Sequence, residues 1–592
     1  VIISIALLLC SWRIGIDAAT YFGQSGNSMH SFLWNLTNWN SNPVPISDNT
    51  ALYDPGLDDV VHTIYLTVLP EAGVVQNDNE AVQNQSGFED IRSDFEMMNL
   101  ITDYKQTKPV LPVIFIDGDD PEQLKNLSDY DYSGQTNATV TLRGHSTLTA
   151  LKKSYKIRLN AENKPWLGQM TINLNKHPND ESRIRNKIAF DIFRFIPDLT
   201  SMQTSMVRLY VRDLSGSASN INNEPFVDYG IFTQIEQANQ DFLKAHYLDE
   251  NGSLYKANSF EFYQYESALR NIDDPDYNKA EFEDVLEICA GSSHEKLIQM
   301  LKDLNNYELD IDDILDRYFN RDNYFTWLAV NILLSNYDTQ TQNFFLYSPH
   351  DSLTWYFLPW DYDGSMIYRT MTDTDGDSAQ LFGISNYWNA VLHRRVFEKP
   401  DNLNQLCEKI ESVYRILSSG VINERILLYK PLIEQYYLNN QGFCKEISPE
   451  EFYEELDCIS KVVDLNYKTF YKTLGKPMPV FLGVPEILNP DESDIHEVVF
   501  RWTGSFDLQN DLISYKLEIS KDIDFKNIVI SRSNLRKTEY IAELPAGDYF
   551  WRIKIMDDEG NSQRAFDIYW PDGEPHNIHT GNYGVAYFSV GG

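Results

Sequence analysis

The sequence predicts an α+β chain that changes class along its length: a mostly β lobe, then a mixed and mainly helical stretch, then an all-β module. Three observations carry this. V-H-T-I-Y-L-T-V-L at 61–69 alternates His62, Ile64, Leu66 and Val68 with Thr63, Tyr65, Thr67 and Leu69, the two-residue period of a strand. E-S-R-I-R-N-K-I-A-F-D-I-F-R-F at 181–195 sets Ile184, Ile188, Ile192 and Phe195 on one helical stripe, with Pro197 to stop it. Residues 498–592 alternate β-branched and aromatic residues, as in V-V-F-R-W and Y-F-W-R-I-K-I, with turn signals roughly every 8–12 residues, the pattern of an immunoglobulin- or fibronectin-like sandwich.

The remaining elements follow in order. P-V-L-P-V-I-F-I-D-G at 109–118, Ala138–Arg143 and Ser154–Asn160 read as strands, and the polar, acidic 71–108 as an insertion. Val207–Arg212 and Tyr229–Ile235 form a strand pair across a Ser/Asn loop. Residues 311–336 and 403–475 are helical. The Pro-rich K-P-M-P-V-F-L-G-V-P marks a boundary near 474–482. Trp502, Tyr515, Tyr540, Tyr549 and Trp551 are expected in the core of the last module.

Composition excludes several classes. The chain has 592 residues with 42% hydrophobic and 13% aromatic, enough for large cores. Lys plus Arg is 49 and Asp plus Glu 87, a net −38 that repels phosphate backbones and argues against a nucleic-acid partner. Five cysteines without a C-x-x-C pair exclude zinc ribbons and a disulfide scaffold. Cys407, Cys444 and Cys458 crowd one region, as one bridge or as free thiols. V-I-I-S-I-A-L-L-L-C at the start sits where a secretory h-region would, with Ala18 and Ala19 for cleavage, so residues 1–19 are expected to be a signal peptide, 20–55 a loose segment, and the protein exported to the cell surface or medium. Sequons at Asn35, Asn84, Asn126, Asn137 and Asn251 agree with export. No later segment reads as a membrane span.

The chemistry concentrates in N-Y-D-T-Q-T-Q-N-F-F-L-Y-S-P-H-D-S-L-T-W-Y-F-L-P-W-D-Y-D-G-S, residues 336–365. Phe344–Tyr347 and Thr354–Pro359 form a hairpin about a turn near residue 351, so cross-strand partners sum to about 702 and Asn343 falls opposite Pro359 or Trp360. Asp338, Asn343, Asp361 and Asp363 then meet at the strand ends distal to the turn. These hard oxygen donors suit Mg²⁺ or Mn²⁺, and equally Ca²⁺ or a purely structural polar cluster. Asp338 and Asn343 have the D-x-x-x-x-N spacing that in protein kinases supplies a base and a metal-binding amide, with Asp361 in the place of the second metal-binding Asp. D-T-D-G-D at 373–377 misplaces Gly376 for an EF-hand, H-E-K-L-I at 294–298 lacks a second zincin His, and no G-x-S-x-G or Walker loop is present.

These residues resemble the signature of the CotH family of atypical secreted kinases, N-W-D-x-x-x-x-N-F-Y-L-Y followed by W-Y-x-I-P-W-D-x-D. T-L-R-G-H-S-T-L-T-A-L-K-K-S-Y-K-I-R-L, S-R-I-R-N-K-I-A-F-D-I-F and D-Y-G-I-F-T-Q-I-E-Q-A-N-Q-D-F-L are similar to three further family motifs, in the family's order. The resemblance implies a minimal two-lobe kinase-like fold over 56–475, followed by a fibronectin type III-like module over 476–592. It implies transfer of phosphate from ATP, with Mg²⁺ or Mn²⁺, to Ser or Thr of a protein acceptor. Asp338 would be catalytic, and Asn343 and Asp361 would hold metal with Asp363 as a possible further ligand. Arg143, Gly144 and Ser146 match the phosphate-side loop, which R-G-H-S shortens by one Gly and one Arg. Lys153, inward-facing beside Tyr155 and Ile157, is expected to hold phosphate, with Lys156 second. Glu236 matches a family Glu, read as the linker along which adenine lies or as an ordinary strand end. Arg185, Asn186 and Asp191 brace the cleft or simply cap and pair. The alternative is a catalytically weak surface adhesion protein whose sandwich presents a ligand face.

Overall fold

Seven strands close into a barrel: β1 (Val61–Val68), β2 (Leu111–Asp117), β3 (Ala138–Arg143), β4 (Ser154–Leu159), β5 (Thr171–Asn175), β6 (Thr204–Asp213) and β7 (Val227–Ile235). Their order is β1-β2-β3-β4-β5-β7-β6, and β6 returns parallel to β1, with Val61 opposite Met206. The structure is a computed structural model that describes residues 45–46, 48–70, 92–124, 136–144, 146–178, 180–216, 225–367, 379–435, 448–488, 495–571 and 581–591. Alternation puts Ile64, Leu66, Val140, Leu142, Ile157 and Leu209 into the barrel interior. The second half of the expected insertion joins that interior. A helix at Asp94–Asn99, opened by a Ser93–Glu96 capping box, buries Phe95 and Met98 there. Residues 71–91 lie outside the described residues.

Helix α1 (Arg185–Phe193) buries Ile188 and Ile192 in a second, larger core. The predicted stripe is one position too long. The helix stops at Phe193 rather than at Pro197, so Phe195 lies beyond it and is 53% exposed. The larger core also holds β8 (Ser253–Ala257), β9 (Leu286–Ala290), β10 (Phe344–Ser348) and β11 (Tyr356–Pro359), an antiparallel sheet in the order β11-β10-β8-β9. Against it runs α2 (Arg321–Leu333), buried from Asn323 to its end. The expected helix 311–336 is two helices, because Asn320 leaves helical geometry and its side chain accepts the Asn323 N–H at 2.9 Å as an N-cap. The stretch 403–475 is likewise broken, at Gly420 with φ 98°, before α3 (Pro449–Leu474) starts on a Ser448–Glu451 capping box.

After Gly475 the chain becomes all-β. One sheet orders β12 (Glu486–Ile487), β13 (Ile495–Arg501) and β16 (Glu539–Pro545). The other orders β15 (Ile528–Leu535), β14 (Ser514–Ser520), β17 (Gly547–Met556) and β18 (Ser562–Arg564), with β21 (Val585–Val590) also on β17. A small ribbon, β19 (Ile568–Tyr569) with β20 (Asn582–Tyr583), stands beside them. Trp502, Tyr515, Tyr549 and Trp551 are buried between the sheets and Tyr540 packs at their margin. Met478 belongs to the larger core and Val480 to this one, so the two cores meet across a few residues. Phe506 stacks on Trp388 with centroids 5.7 Å apart, and the Lys476 ammonium donates to the Ser562 carbonyl at 2.9 Å.

Cys407 and Cys458 are free thiols, so they do not bridge to each other, and Cys444 lies outside the described residues. The Asn137 side chain is half-buried and exchanges two hydrogen bonds with the Phe115 backbone, which leaves that sequon without a free amide; Asn251 is exposed. Asn35, Asn84 and Asn126, the leader, and 373–377 lie outside the described residues. Among the described residues no helix is long and apolar enough to cross a membrane.

Candidate active site

The hairpin register falls within the expectation. Phe344 pairs with Pro359 and Tyr347 with Tyr356, which carries Asn343 to the level of Trp360, beside Asp361. Asn343 takes φ 58° and donates its N–H to the Ala257 carbonyl at 3.1 Å, starting β10 next to β8. Asp361 takes φ 54° just past the end of β11. Asn and Asp tolerate the left-handed region better than most residues, and such positions cluster at functional sites.

Asp338 lies on a short 3-10 turn, Tyr337–Gln340, that follows α2 through Ser335 at φ 51°. Two side-chain amides hold the hairpin end, one from beside this turn and one from α1. Asn336 donates to the Asp361 carbonyl at 3.1 Å, and Asn186 on α1 accepts the Tyr362 N–H at 3.1 Å. The Asp338 carboxylate is exposed, and a Cβ built on Gly364 would lie 3.8 Å from its Oδ2, so both strand ends reach one place.

The half-buried carboxyls of Asp361 and Asp363 stand against each other. Burial first, then the charge of Asp363, hold Asp361 well above the ordinary carboxylate range, against the pull of Lys256 and Arg143. Burial also works against Asp363, but the hydrogen bond and charge of His177 outweigh it and hold Asp363 low. His177 Nδ1 stands 3.1 Å from Asp363 Oδ2. The two carboxyls are thus pushed in opposite directions, Asp361 up and Asp363 down.

Facing it is a cationic cluster on the outer side of the barrel. Arg143 ends β3, its guanidinium 5.8 Å from the Trp360 ring, and its Nη1 is buried with no hydrogen-bond partner among the described residues. Burial lowers its pKa to about 10, while Asp361, Glu287 and Asp363 work to raise it. Lys156 stands opposite Thr141 on the next strand, its ammonium destabilised by burial and by Arg143. Lys108 donates to the Gly144 carbonyl at 2.9 Å. Gly144 takes φ 96°, and a Cβ there would lie 2.1 Å from Thr147 Oγ1, so the R-G-H-S turn admits glycine alone. Ser146 opens the 3-10 turn that follows; His145 lies outside the described residues.

The structure thus brings together Asp338, Asn343, Asp361, Asp363, Arg143 and Lys156. It gives two predicted nucleotide contacts other partners. Lys153 is buried as expected, but its ammonium donates to the carbonyls of Ile101 at 3.1 Å and Leu148 at 2.5 Å. Glu236 is buried rather than an exposed strand end. It accepts the Gln203 N–H at 3.0 Å and meets His246 Nε2 at 2.9 Å, and His246 Nδ1 meets Asp48 at 2.6 Å. Burial works against the imidazolium, but Glu236 and Asp48 outweigh it and raise His246 to about 9. On α1, Arg185 pairs with Asp180 at 2.6 Å and with Glu455, and Asp191 with Lys187 at 2.7 Å and with Tyr429, so both brace the fold. His177, Lys108 and Lys256 were not legible as site residues. His177 sits in a turn without a motif, and Lys256 on a strand too short to show a period.

Residues 140–470, more than half of the chain, match the family model described as CotH kinase protein. The inner spore coat protein H of Bacillus subtilis (strain 168) is 24% identical over 285 residues, covering 47% of this chain and 72% of that protein. The crystal structure of the Helicobacter pylori proinflammatory kinase CtkA aligns at 13% identity over 54% of this chain and 91% of that one, with a TM-score of 0.23. The site motifs and the family model coincide on the same residues, and the chain belongs to the CotH kinase protein family.

Proposed function

We propose that the chain is a protein kinase that moves the γ-phosphoryl group of ATP onto Ser or Thr hydroxyls of a protein acceptor. The observation that carries this is the half-buried Asp361–Asp363 pair facing Arg143, whose Nη1 lacks a partner among the described residues. Oxygen donors on one side and an unspent guanidinium on the other fit a divalent cation and a phosphate chain. Asn343 and Asp361 would hold Mg²⁺ or Mn²⁺, with Asp363 fixed beside them by His177. Bound ATP and metal supply the phosphoryl group and the cationic charge that offsets it. Arg143 and Lys156 orient phosphate oxygens, and the Gly144 turn lets backbone approach them. Asp338, exposed at the mouth, orients an acceptor hydroxyl and takes its proton. The barrel with its flanking turns is read as the nucleotide-side lobe, the helical part as the other, and the C-terminal region as a fibronectin type III-like sandwich that offers a surface for a ligand. Residues 1–19 support export to the cell surface or medium.

A second reading, a catalytically silent surface-binding protein, is favoured by the shortened R-G-H-S loop and by the engagement of Lys153 with carbonyls. Calorimetric ATP titration with Mg²⁺ or Mn²⁺, paired with a phosphate-transfer assay on a Ser/Thr-rich acceptor, separates the two. Asp361→Ala is expected to abolish metal-dependent ATP binding. Asp338→Asn is expected to keep it while transfer falls roughly 10²–10⁴-fold, the span of a positioned base. A wild-type chain that neither binds nucleotide nor transfers phosphate under either metal overturns the kinase reading in favour of the second.

A further inference from the structure

We propose that Asp507, Asp511 and Asp557 form a Ca²⁺ site that stiffens the seat of the C-terminal β region on the rest of the chain. Two loops build it: S-F-D-L-Q-N-D-L at 505–512, before β14, and M-D-D-E-G-N at 556–561, after β17. The antiparallel register sets Ser514 opposite Met556, which brings the two loops side by side at one end of the sheet. One carboxylate oxygen from each of the three residues lies within 4.8 Å of the others. Two oxygens on opposite sides of a Ca²⁺ ion, each bonded at about 2.4 Å, stand about 4.8 Å apart.

A cluster of acidic side chains is common on so acidic a protein, and proximity alone would carry nothing. The independent observation is that two members are buried and incompletely bonded. Asp507 is 3% exposed and Asp557 7%. Asp507 gives Oδ1 to the N–H groups of Gln509 at 2.8 Å and Asp511 at 3.0 Å, and Asp557 gives Oδ1 to that of Asn561 at 2.7 Å. The Oδ2 atoms of both are buried with no hydrogen-bond partner among the described residues. A buried carboxylate oxygen without a donor is expensive, and a hard cation is the partner that satisfies several at once. Lys476 lies within electrostatic reach of Asp557, but its ammonium is bonded to the Ser562 carbonyl. Asp558 and Glu559 add further negative charge beside Asp511. With all donors oxygen and no His or Cys in the set, the chemistry is that of Ca²⁺ rather than Zn²⁺.

The position gives the ion its consequence. Asp507 lies between Phe506 and Leu508, both packed against the larger core, and Phe506 stacks on Trp388. Occupancy would fix the loop that carries this contact.

The test uses the full chain after chelator treatment. Thermal unfolding is followed with Ca²⁺, with Mg²⁺ and with chelator, for wild type and for Asp557→Asn. Calorimetric Ca²⁺ titration is run in the Asp361→Ala background, which removes cation binding at the proposed active site. A Kd on the order of 10⁻⁵–10⁻³ M is expected, weakened at least roughly tenfold by adding Asp557→Asn, because ligand charge sets Ca²⁺ affinity. Ca²⁺ should raise the unfolding midpoint of wild type by more than that of Asp557→Asn. In chelator the variant should unfold no earlier than wild type, since it carries one buried charge fewer, which shows that its smaller response is not misfolding. Equal Ca²⁺ responses in the two proteins, no Ca²⁺ binding up to about 10 mM, or an equal response to Mg²⁺ would overturn the assignment.

Discussion

The side-chain amide of Asn336 donates a 3.1 Å hydrogen bond to the main-chain carbonyl of Asp361. Two residues after Asn336 comes Asp338, so one amide sets the distance between the turn that carries the exposed carboxylate and the turn that carries the half-buried pair. Asn336 is itself buried, and its N–H is bonded to Asn331 in the last turn of α2. The spacing is thereby referred to a helix that is buried from Asn323 to its end.

Asn336→Ala is therefore expected to lower phosphate transfer about 10- to 100-fold, the effect of a small misplacement. ATP affinity should change less than the transfer rate, because the substitution leaves Asp361 and Arg143 in place. A stability loss of about 1–3 kcal/mol should accompany it, from the unmet Asp361 carbonyl. Single-turnover rates and ATP titration on the same variant check the split. An equal loss in both would point to collapse of the whole site.

Lys153 and Lys156 should separate by what they disturb. Lys156→Ala is expected to weaken ATP binding with little change in unfolding. Lys153→Ala removes the donor to the Ile101 and Leu148 carbonyls and should cost about 1–3 kcal/mol of stability while sparing ATP affinity. Denaturant unfolding and nucleotide titration of the two variants decide the matter.

Gly144→Ala should damage the turn after β3. Its φ of 96° and the 2.1 Å approach to Thr147 Oγ1 leave no room for a methyl group. A loss of about 1–3 kcal/mol is expected, together with weaker ATP binding. Gly144→Ala combined with Thr147→Ala, which removes the clash but keeps the backbone strain, should recover only part of both.

The Asp48–His246–Glu236 triad makes a pH prediction. Folding raises the His246 pKa from 6.5 to about 9, so its contribution is fully present below pH 6.5 and is lost as pH rises through 9. Unfolding free energy of wild type relative to His246→Gln should therefore fall across that window, by as much as about 3 kcal/mol. Urea titrations of both proteins at pH 6, 7.5 and 9 measure the difference. A constant gap across the series would contradict it.

The hairpin at 344–359 was legible almost to the residue, because an apolar run, a P-H-D-S turn and a second apolar run fix their own register. Six of the seven barrel strands showed their period. The closure did not, since alternation in Val61–Val68 says nothing about Thr204–Asp213 as its parallel partner. β5, β8 and β9 have five residues each, too few for a period to stand out. The carboxylates expected at the hairpin end lie together there, while the Lys153 ammonium is engaged elsewhere. Inward-facing parity is true of Lys153, but the interior of this barrel is an apolar core with carbonyls at its end. The cationic cluster lies on the outer face, with Arg143 and Lys156 at the half-buried positions of β3 and β4. Sequence parity states which side a residue faces, and only the packed structure states what waits there.

The closed barrel also limits how another polypeptide can be met. With β6 bonded to β1, every barrel strand has two neighbours among the described residues, so none offers a whole free edge for an incoming segment to extend. Strand addition, a common and sequence-tolerant way to hold an extended peptide, is thereby disfavoured at this barrel. Under the proposed function, an acceptor that meets the barrel would be read mainly through side chains and turns, beside the exposed Asp338.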